Sequence, residues 1–291
     1  VLNRFPQGAL RIGMKGSMAS KPRKIKVLDN NTIDRIAAGE VIERPASIVK
    51  ELVENALDAG AQQITITLEE GGMTLLSVED DGHGIPFRDL PLAFERHATS
   101  KIFSADDLFA IQTLGFRGEA LPSIASVSHF SLITRDEAAD AGTQIIVEGG
   151  KVKSVSEVGA PQGTLVCVKQ LFFNTPARKK FLKTIGTEMS HIADTVSRIA
   201  LGHPEVQFRL VHNQKVVKSW PPASRHVDRI VEVLGKDVRA ELHAVQSKGN
   251  GPVVSGWIGS PAVTRRTAAC TWWSIARGTG STSCRRARRT L

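Results

Sequence analysis

Residues 45–60 read PASIVKELVENALDAG, and the reading of this stretch sets the frame for the rest of the chain. Pro45 stands where a helix best tolerates proline, in its first turn, and Gly60 stands where helices commonly stop. At about 100° per residue, Val49, Leu52, Val53, Ala56 and Leu57 share the side that a sheet would cover. Glu51, Asn55 and Asp58 lie within an arc of about 60° on the polar side. A stripe of two carboxylates and an amide is able to hold a metal ion and a water. A plain solvated helix face has the same composition, so this helix alone decides nothing.

Outward from the helix, Gln63–Leu68 and Thr74–Asp80 alternate apolar and polar residues around Glu-Glu-Gly-Gly, the pattern of a β-hairpin. Further strands are expected over Val127–Thr134, Thr143–Val147, Val152–Val155 and Thr164–Val168. Ile33–Ala38 suits a short helix closed by Gly39. Arg96 to Gly118 is too irregular for one element and reads as a loop over a site. The order implies an α/β fold, an α+β sandwich with helices on a mostly antiparallel sheet. A second unit is expected from Phe172, with helices over Pro176–Thr184, Glu188–Leu201 and Val227–Leu234, and a hairpin of Val206–His212 with Lys215–Trp220. The chain is thus divided into a flexible leader (1–24), a first domain (25–171), a second and incomplete α/β domain (172–264) and an arginine-rich tail (265–291) without apolar periodicity.

The net charge of +9 over 291 residues is unevenly spread. The leader and tail are basic; residues 1–26 and 265–291 contain no acidic residue. Between them an acidic first lobe precedes a basic second one, and only the second is a candidate for phosphate contacts. No apolar run approaches the ~18 residues of a membrane span, and the leader lacks a signal-peptide core, so a cytoplasmic protein is expected. Cys167, Cys270 and Cys284 have no C-x-x-C spacing, which argues against a zinc knuckle or disulfide framework.

Three loops carry chemistry. Asp80-Asp81-Gly82-His83-Gly84 ends a strand; its acid is able to accept from an exocyclic amine while the glycines let backbone approach a planar ligand. Gly115-Phe116-Arg117-Gly118 opens a helix, and backbone N–H groups at such a terminus cradle phosphate. Gly163-Thr164 begins a late strand. Each has an ordinary structural reading too, as a turn, a glycine cap or a strand start. His83 and His97 have no partner at metal-ligand spacing, and His97 is expected to hydrogen-bond within the loop. No G-x-x-x-x-G-K-[ST] loop is present, which removes the commoner nucleotide fold.

Three such features in this order resemble the GHKL ATPases, the group of gyrase, Hsp90, histidine kinases and the MutL mismatch repair family. The MutL family is the nearer likeness. It is carried by Ile36-Ala37-Ala38-Gly39-Glu40-Val41-Ile42-Glu43-Arg44-Pro45, by Lys50-Glu51-Leu52-Val53-Glu54-Asn55 with Leu57-Asp58-Ala59-Gly60, and by Arg96-His97-Ala98-Thr99-Ser100-Lys101. Gly115 to Leu121 and Phe172-Phe173-Asn174-Thr175-Pro176-Ala177-Arg178-Lys179-Lys180-Phe181 complete it. The match is near-continuous from Ile25 to about Trp257.

The resemblance implies a GHKL ATPase lobe followed by a second domain like the ribosomal protein S5 fold. It implies ATP and Mg²⁺ as cofactors, with Glu51 as general base and Asn55 as the Mg²⁺ ligand, Asp58 beside it on the nucleotide side. Asp80 would read the adenine, with Gly84 approaching closely and Thr164 supporting the pocket through Asp80. Thr99, Ser100 and Lys101 would be lid residues, and Gly115, Phe116, Arg117 and Gly118 phosphate contacts. Arg178, Lys179 and Lys180 would face DNA, bound weakly and largely without sequence preference; they also read as a solvated helix start. Implied partners are a MutS-type mismatch recognition protein, a repair nuclease or helicase, and a second copy through ATP-dependent dimerisation of the N-terminal halves.

The family completes its second lobe with a lysine that reaches the γ-phosphate. Residues 265–291 contain no lysine, so impaired hydrolysis is expected, and a non-catalytic nucleotide-gated scaffold stays open as an alternative. A type II topoisomerase lobe shares the fold but would show a different glycine loop and lack the Phe-Asn-Thr-Pro-Ala-Arg block.

Overall fold

The computed structural model describes residues 42–101, 107, 113–115, 118–247 and 254–260, with two-residue strands at 274–275 and 282–283. The expected helix over Ile33–Ala38, the leader and most of the tail lie outside the described residues, as do Phe116 and Arg117.

Helix α1 (Pro45–Asp58) buries Val49, Leu52, Val53 and Ala56 of the face expected from its periodicity; Ile48 is buried with them and Leu57 only partly. It lies on a sheet of eight strands: β1 (Gln63–Glu69), β2 (Leu75–Asp80), β3 (His129–Arg135), β4 (Gly142–Glu148), β5 (Lys151–Val158), β6 (Gly163–Lys169), β7 (Gln207–His212) and β8 (Lys215–Trp220). Their spatial order is β5-β4-β3-β6-β2-β1-β7-β8. Every neighbouring pair is antiparallel except β1 with β7, which run parallel. A parallel neighbour needs a crossover, and α5 (Ile185–Gly202) is the long helix between β6 and β7.

Burial alternates along the central strands. Ile64, Ile66 and Leu68 of β1, Leu76 and Val78 of β2, Phe130 and Leu132 of β3, and Phe208 and Leu210 of β7 point to one face and share a core with α1 and α5. Two short helices, α2 (Leu90–Ala93) and α3 (Ala120–Ser126), lie between β2 and β3. On the same side of the core, Phe94 meets Phe130 edge to face at 5.5 Å.

This topology changes the expected division at Phe172. The sheet runs across that position: β7 and β8 belong to the same sheet as β1 to β6, and Phe172 itself is fully buried in the common core. The cause is the β1–β7 pairing, a long-range contact that local pattern does not reveal. The helix expected over Pro176–Thr184 also shortens to α4 (Pro176–Lys179). Thr184 is extended, because it caps α5 and accepts from the Thr187 N–H at 3.4 Å, and Glu188 accepts from Lys183 N at 2.9 Å. A capping residue does not continue the preceding helix.

Beyond β8, α6 (His226–Leu234) is tied to the sheet by Arg229, which is fully buried. Its Nη2 lies 2.8 Å from each of the carbonyls of Pro204, Val206 and Pro221, which share its two N–H groups. These oxygens bracket the β7–β8 hairpin, so one guanidinium joins the hairpin's two ends to the helix. A second hairpin, β9 (Leu242–Ser247) with β10 (Val254–Gly259), follows. Among the described residues no helix is long and apolar enough to cross a membrane. Arg229→Met keeps the stem's volume but takes the donor from two buried carbonyls and one partly buried one, and should destabilise the chain by about 2–4 kcal/mol. Chemical denaturation checks this; an unchanged midpoint would mean the three bonds contribute nothing net.

Candidate functional site

The C-terminal end of α1 and the end of β2 are bolted together through backbone. His83 N donates to Ala59 O at 3.0 Å. A side chain on Gly82 would come within 2.8 Å of both Cβ and O of Ala59, so only glycine fits between them. Asp81 Oδ1 accepts from Gln62 N at 2.7 Å and from Gln63 N at 2.8 Å, which fixes the entry into β1. The acidic turn expected from the sequence is therefore also a joint, and it fixes the end of β2, with Asp80, against the C-terminal end of α1.

Asp80 lies opposite Thr164 in the β2–β6 register. Its Oδ1 accepts from Gly82 N at 2.9 Å. Burial raises its pKa from 3.8 to about 6, against the opposing pull of the Gly82 and Thr164 N–H groups. Behind it sits Thr134, almost fully buried and without a local signal in the sequence. Its hydroxyl donates to Gly163 O at 3.0 Å, accepts from Ile85 N at 2.9 Å and meets the Thr164 hydroxyl at 3.0 Å. With its single proton given to Gly163, Thr134 accepts from Thr164, leaving the Thr164 oxygen as an acceptor toward the cavity. A threonine inside an alternating strand gives no local sign of such a role.

Glu51 and Asn55 line the same cavity as Asp80 and Thr164. Lys50 Nζ lies 3.2 Å from Glu51 and 2.7 Å from Glu54. Burial opposes its charge, but these carboxylates outweigh it and raise the Lys50 pKa. Burial also pushes the Glu54 carboxyl up. Lys101 reaches α1: its Nζ donates to Asn55 Oδ1 at 2.9 Å and to Asp58 Oδ2 at 2.5 Å. Thr99 accepts from Lys101 N at 3.2 Å, and Ser100 is exposed beside it. Gly115 N points to Asp58 at 3.5 Å and Leu114 N at 3.1 Å. His97 Nδ1 lies 3.3 Å from Glu119 Oε1, a contact within the loop.

Two of the glycines have a reason within the protein itself. Gly84 (φ +71°) and Gly118 (φ +63°) both line the cavity, yet each is required by protein backbone. A Cβ on Gly84 would fall 2.2 Å from Arg135 O, and one on Gly118 would fall 2.2 Å from Ala98 O. Left-handed backbone and the absent side chain are both needed there.

Many of these residues border one cavity of about 1120 Å³, somewhat above the ~300–1,000 Å³ usual for small-molecule sites. Asp80, Thr164, Glu51, Asn55, Thr99, Ser100, Lys101, Gly115 and Gly118 all line it. Asp58 is one turn further along α1 and enters through Lys101. Arg178, Lys179 and Lys180 lie elsewhere, at α4; the lysines are exposed and Arg178 is half-buried.

A profile of the histidine kinase-, DNA gyrase B- and HSP90-like ATPases matches residues 40–168. The chain is 50% identical over 248 residues to the DNA mismatch repair protein MutL of Geobacter sulfurreducens, covering 85% of this chain and 41% of that protein. It is 51% identical over 242 residues to MutL of Desulforudis audaxviator, covering 83% and 43%. The chain thus spans about two-fifths of the length of these relatives. Among solved structures, the Aquifex aeolicus MutL ATPase domain complexed with ADP superimposes with a TM-score of 0.60 at 32% identity, covering 75% of this chain and 78% of that one. The N-terminal domain of a DNA repair protein gives 0.68 at 27% identity, covering 81% and 74%. A cavity walled by α1 and the β2 loop, in a chain with these relatives, leads to one assignment: the chain belongs to the MutL family of DNA mismatch repair proteins, as its N-terminal ATPase portion.

Proposed function

We propose that this chain binds ATP with Mg²⁺ in the cavity and hydrolyses it slowly, as the switch of a DNA mismatch repair protein. The observation that carries the proposal is the lining of one cavity, which brings together a half-buried carboxylate at a strand end and a carboxylate–amide stripe with a lysine. Adenine is placed at Asp80, whose carboxylate accepts from the exocyclic amine, with the Thr164 oxygen beside it. The phosphates then extend toward Asn55, Lys101 and the Gly115–Gly118 segment, where backbone N–H groups and the ammonium meet negative charge.

Asn55 offers a carbonyl oxygen, with the Glu51 and Asp58 carboxylates on the same stripe, and hard oxygen donors of this kind suit Mg²⁺. When bound, the ion neutralises charge building on the phosphates. Glu51 takes the proton of the attacking water, and its exposure at the cavity wall leaves room for that water. A fixed cation at the γ-phosphate contributes much of the rate in this chemistry, and Lys101 is a lysine that lines the cavity. A non-catalytic, nucleotide-gated scaffold is the second reading on the same observation.

In repair, ATP binding would bring two N-terminal halves together and couple a MutS-type mismatch recognition protein to a nuclease or helicase, in the cytoplasm. DNA would be held weakly and without sequence preference by the basic residues after 172, including Arg178, Lys179 and Lys180. The exposure of both lysines supports this.

Asp80→Asn separates binding from stability. It should abolish measurable ADP binding by calorimetry, because the amine loses its charged acceptor. The folded pKa of about 6 exceeds 3.8, so the folded chain holds that proton more tightly. The ionised carboxylate therefore destabilises the fold in full above about pH 6 and not below about pH 4, by roughly 3 kcal/mol at most. The asparagine chain should then melt higher than wild type at pH 7.5, with the gap closing toward pH 4. Unchanged ADP affinity would remove Asp80 from the base site.

Glu51→Ala should keep ADP binding within a few-fold and lower phosphate release by ~10²–10⁴-fold. Equal losses in both would make Glu51 a structural residue. Replacing Arg178, Lys179 and Lys180 with alanine should weaken DNA binding alike on all sequences and shallow its salt dependence by about one for each phosphate no longer neutralised. An unchanged slope would place DNA on the arginine-rich ends instead.

A further inference from the structure

Lys101 does more in the free site than border it. Its ammonium sits between Asn55 Oδ1, at 2.9 Å, and Asp58 Oδ2, at 2.5 Å. Both side chains are largely shielded, with 20% of the lysine side chain and 12% of the aspartate side chain exposed. The same carboxylate also receives Leu114 N at 3.1 Å and Gly115 N at 3.5 Å. Residues on either side of positions 102–112 thus converge on Asp58, and Gly115 brings its backbone there without a side chain; a Cβ on it would stand 3.5 Å from the Lys101 nitrogen.

Charge and geometry give this contact a consequence. The Asn55 oxygen and the Asp58 carboxylate are the oxygen donors that a divalent cation would use, and a lysine ammonium already neutralises them. A dication entering within a few ångströms of that ammonium is repelled by it, and the low solvent exposure leaves little screening. A polyphosphate changes the balance: it offers the flexible lysine a second anion, and it brings its own oxygens to the metal.

We propose that Lys101 is a built-in counter-cation of the metal position, which makes divalent metal binding depend on nucleotide. In the free chain the ammonium holds the place of the metal at Asn55 and Asp58. When nucleotide arrives, Lys101 moves from Asp58 to the phosphates and the metal takes the vacated oxygens. Lys101 is a positioning residue for this order of binding, and the proposal rests on the reading that the cavity takes ATP with Mg²⁺.

The test uses Mn²⁺ alone, followed by water-proton relaxation in the 291-residue chain, without nucleotide. Lys101→Met should bind Mn²⁺ on the order of ten-fold or more tightly than wild type, whereas Lys101→Arg, which keeps the charge, should stay close to wild type. Equal Mn²⁺ affinity in wild type and a folded Lys101→Met chain would overturn the proposal, as would a gain in Lys101→Arg equal to that in Lys101→Met. A measurement on wild type needs no variant to fold: amine acylation of the nucleotide-free chain should label Lys101 much more slowly than Lys179. Equal labelling rates would overturn the contact itself. Calorimetry with ADP on wild type is read separately; absent ADP binding would sink the nucleotide reading, while the Mn²⁺ comparison would still decide the role of Lys101.

Discussion

The site depends on the backbone joint between Ala59 and the Gly82–His83 turn. It is small: one hydrogen bond of 3.0 Å and a contact that excludes any side chain at position 82. Yet it couples two elements of the cavity lining. Asp80 belongs to a strand and Asn55 to a helix, and their separation is set by where β2 ends against α1. Asp81, which accepts from two backbone N–H groups, holds the next strand to the same point. With helix, turn and strand locked at one corner, the cavity wall keeps its shape without help from a ligand, and such preorganisation lowers the cost of binding.

The consequence of that arrangement is visible at Asp80. A carboxylate buried at a strand end carries a raised pKa, and the Thr134 hydroxyl is committed to holding the neighbouring backbone in place. In the polar stripe of the helix the charges are compensated from within: Lys50 lies against Glu51 and Glu54, and Lys101 against Asp58. Along α1 two ammonium groups thus stand against three carboxylates, so most of the negative charge there is compensated within the protein.

The helix, the hairpin after it and the strands from 129 to 169 are legible in the sequence because their signals are local: a 3.6-residue stripe, a period of two, and glycines at turns. The polar stripe of α1 is legible as a set of residues, and the family resemblance gives it meaning. The parallel pairing of β1 with β7 is not, since it joins residues more than a hundred positions apart, and local pattern therefore puts a domain boundary through a continuous sheet. Gly84 reads as a close approach to a ligand and Gly118 as a phosphate contact, and the sequence does not show that backbone oxygens of Arg135 and Ala98 also exclude a side chain there. Thr134 gives no signal, because a buried threonine in a strand reads like valine until its three partners are seen. The Lys101–Asp58 pair likewise unites two motifs 43 residues apart.

The most direct measurement is a crystal structure of this chain with a non-hydrolysable ATP analogue and Mg²⁺. It should place the adenine amine within hydrogen-bond distance of Asp80, the phosphates beside Asn55, and the Lys101 ammonium on phosphate instead of Asp58. A nucleotide bound with its base away from Asp80, or phosphates pointing away from the α1 stripe, would contradict the account.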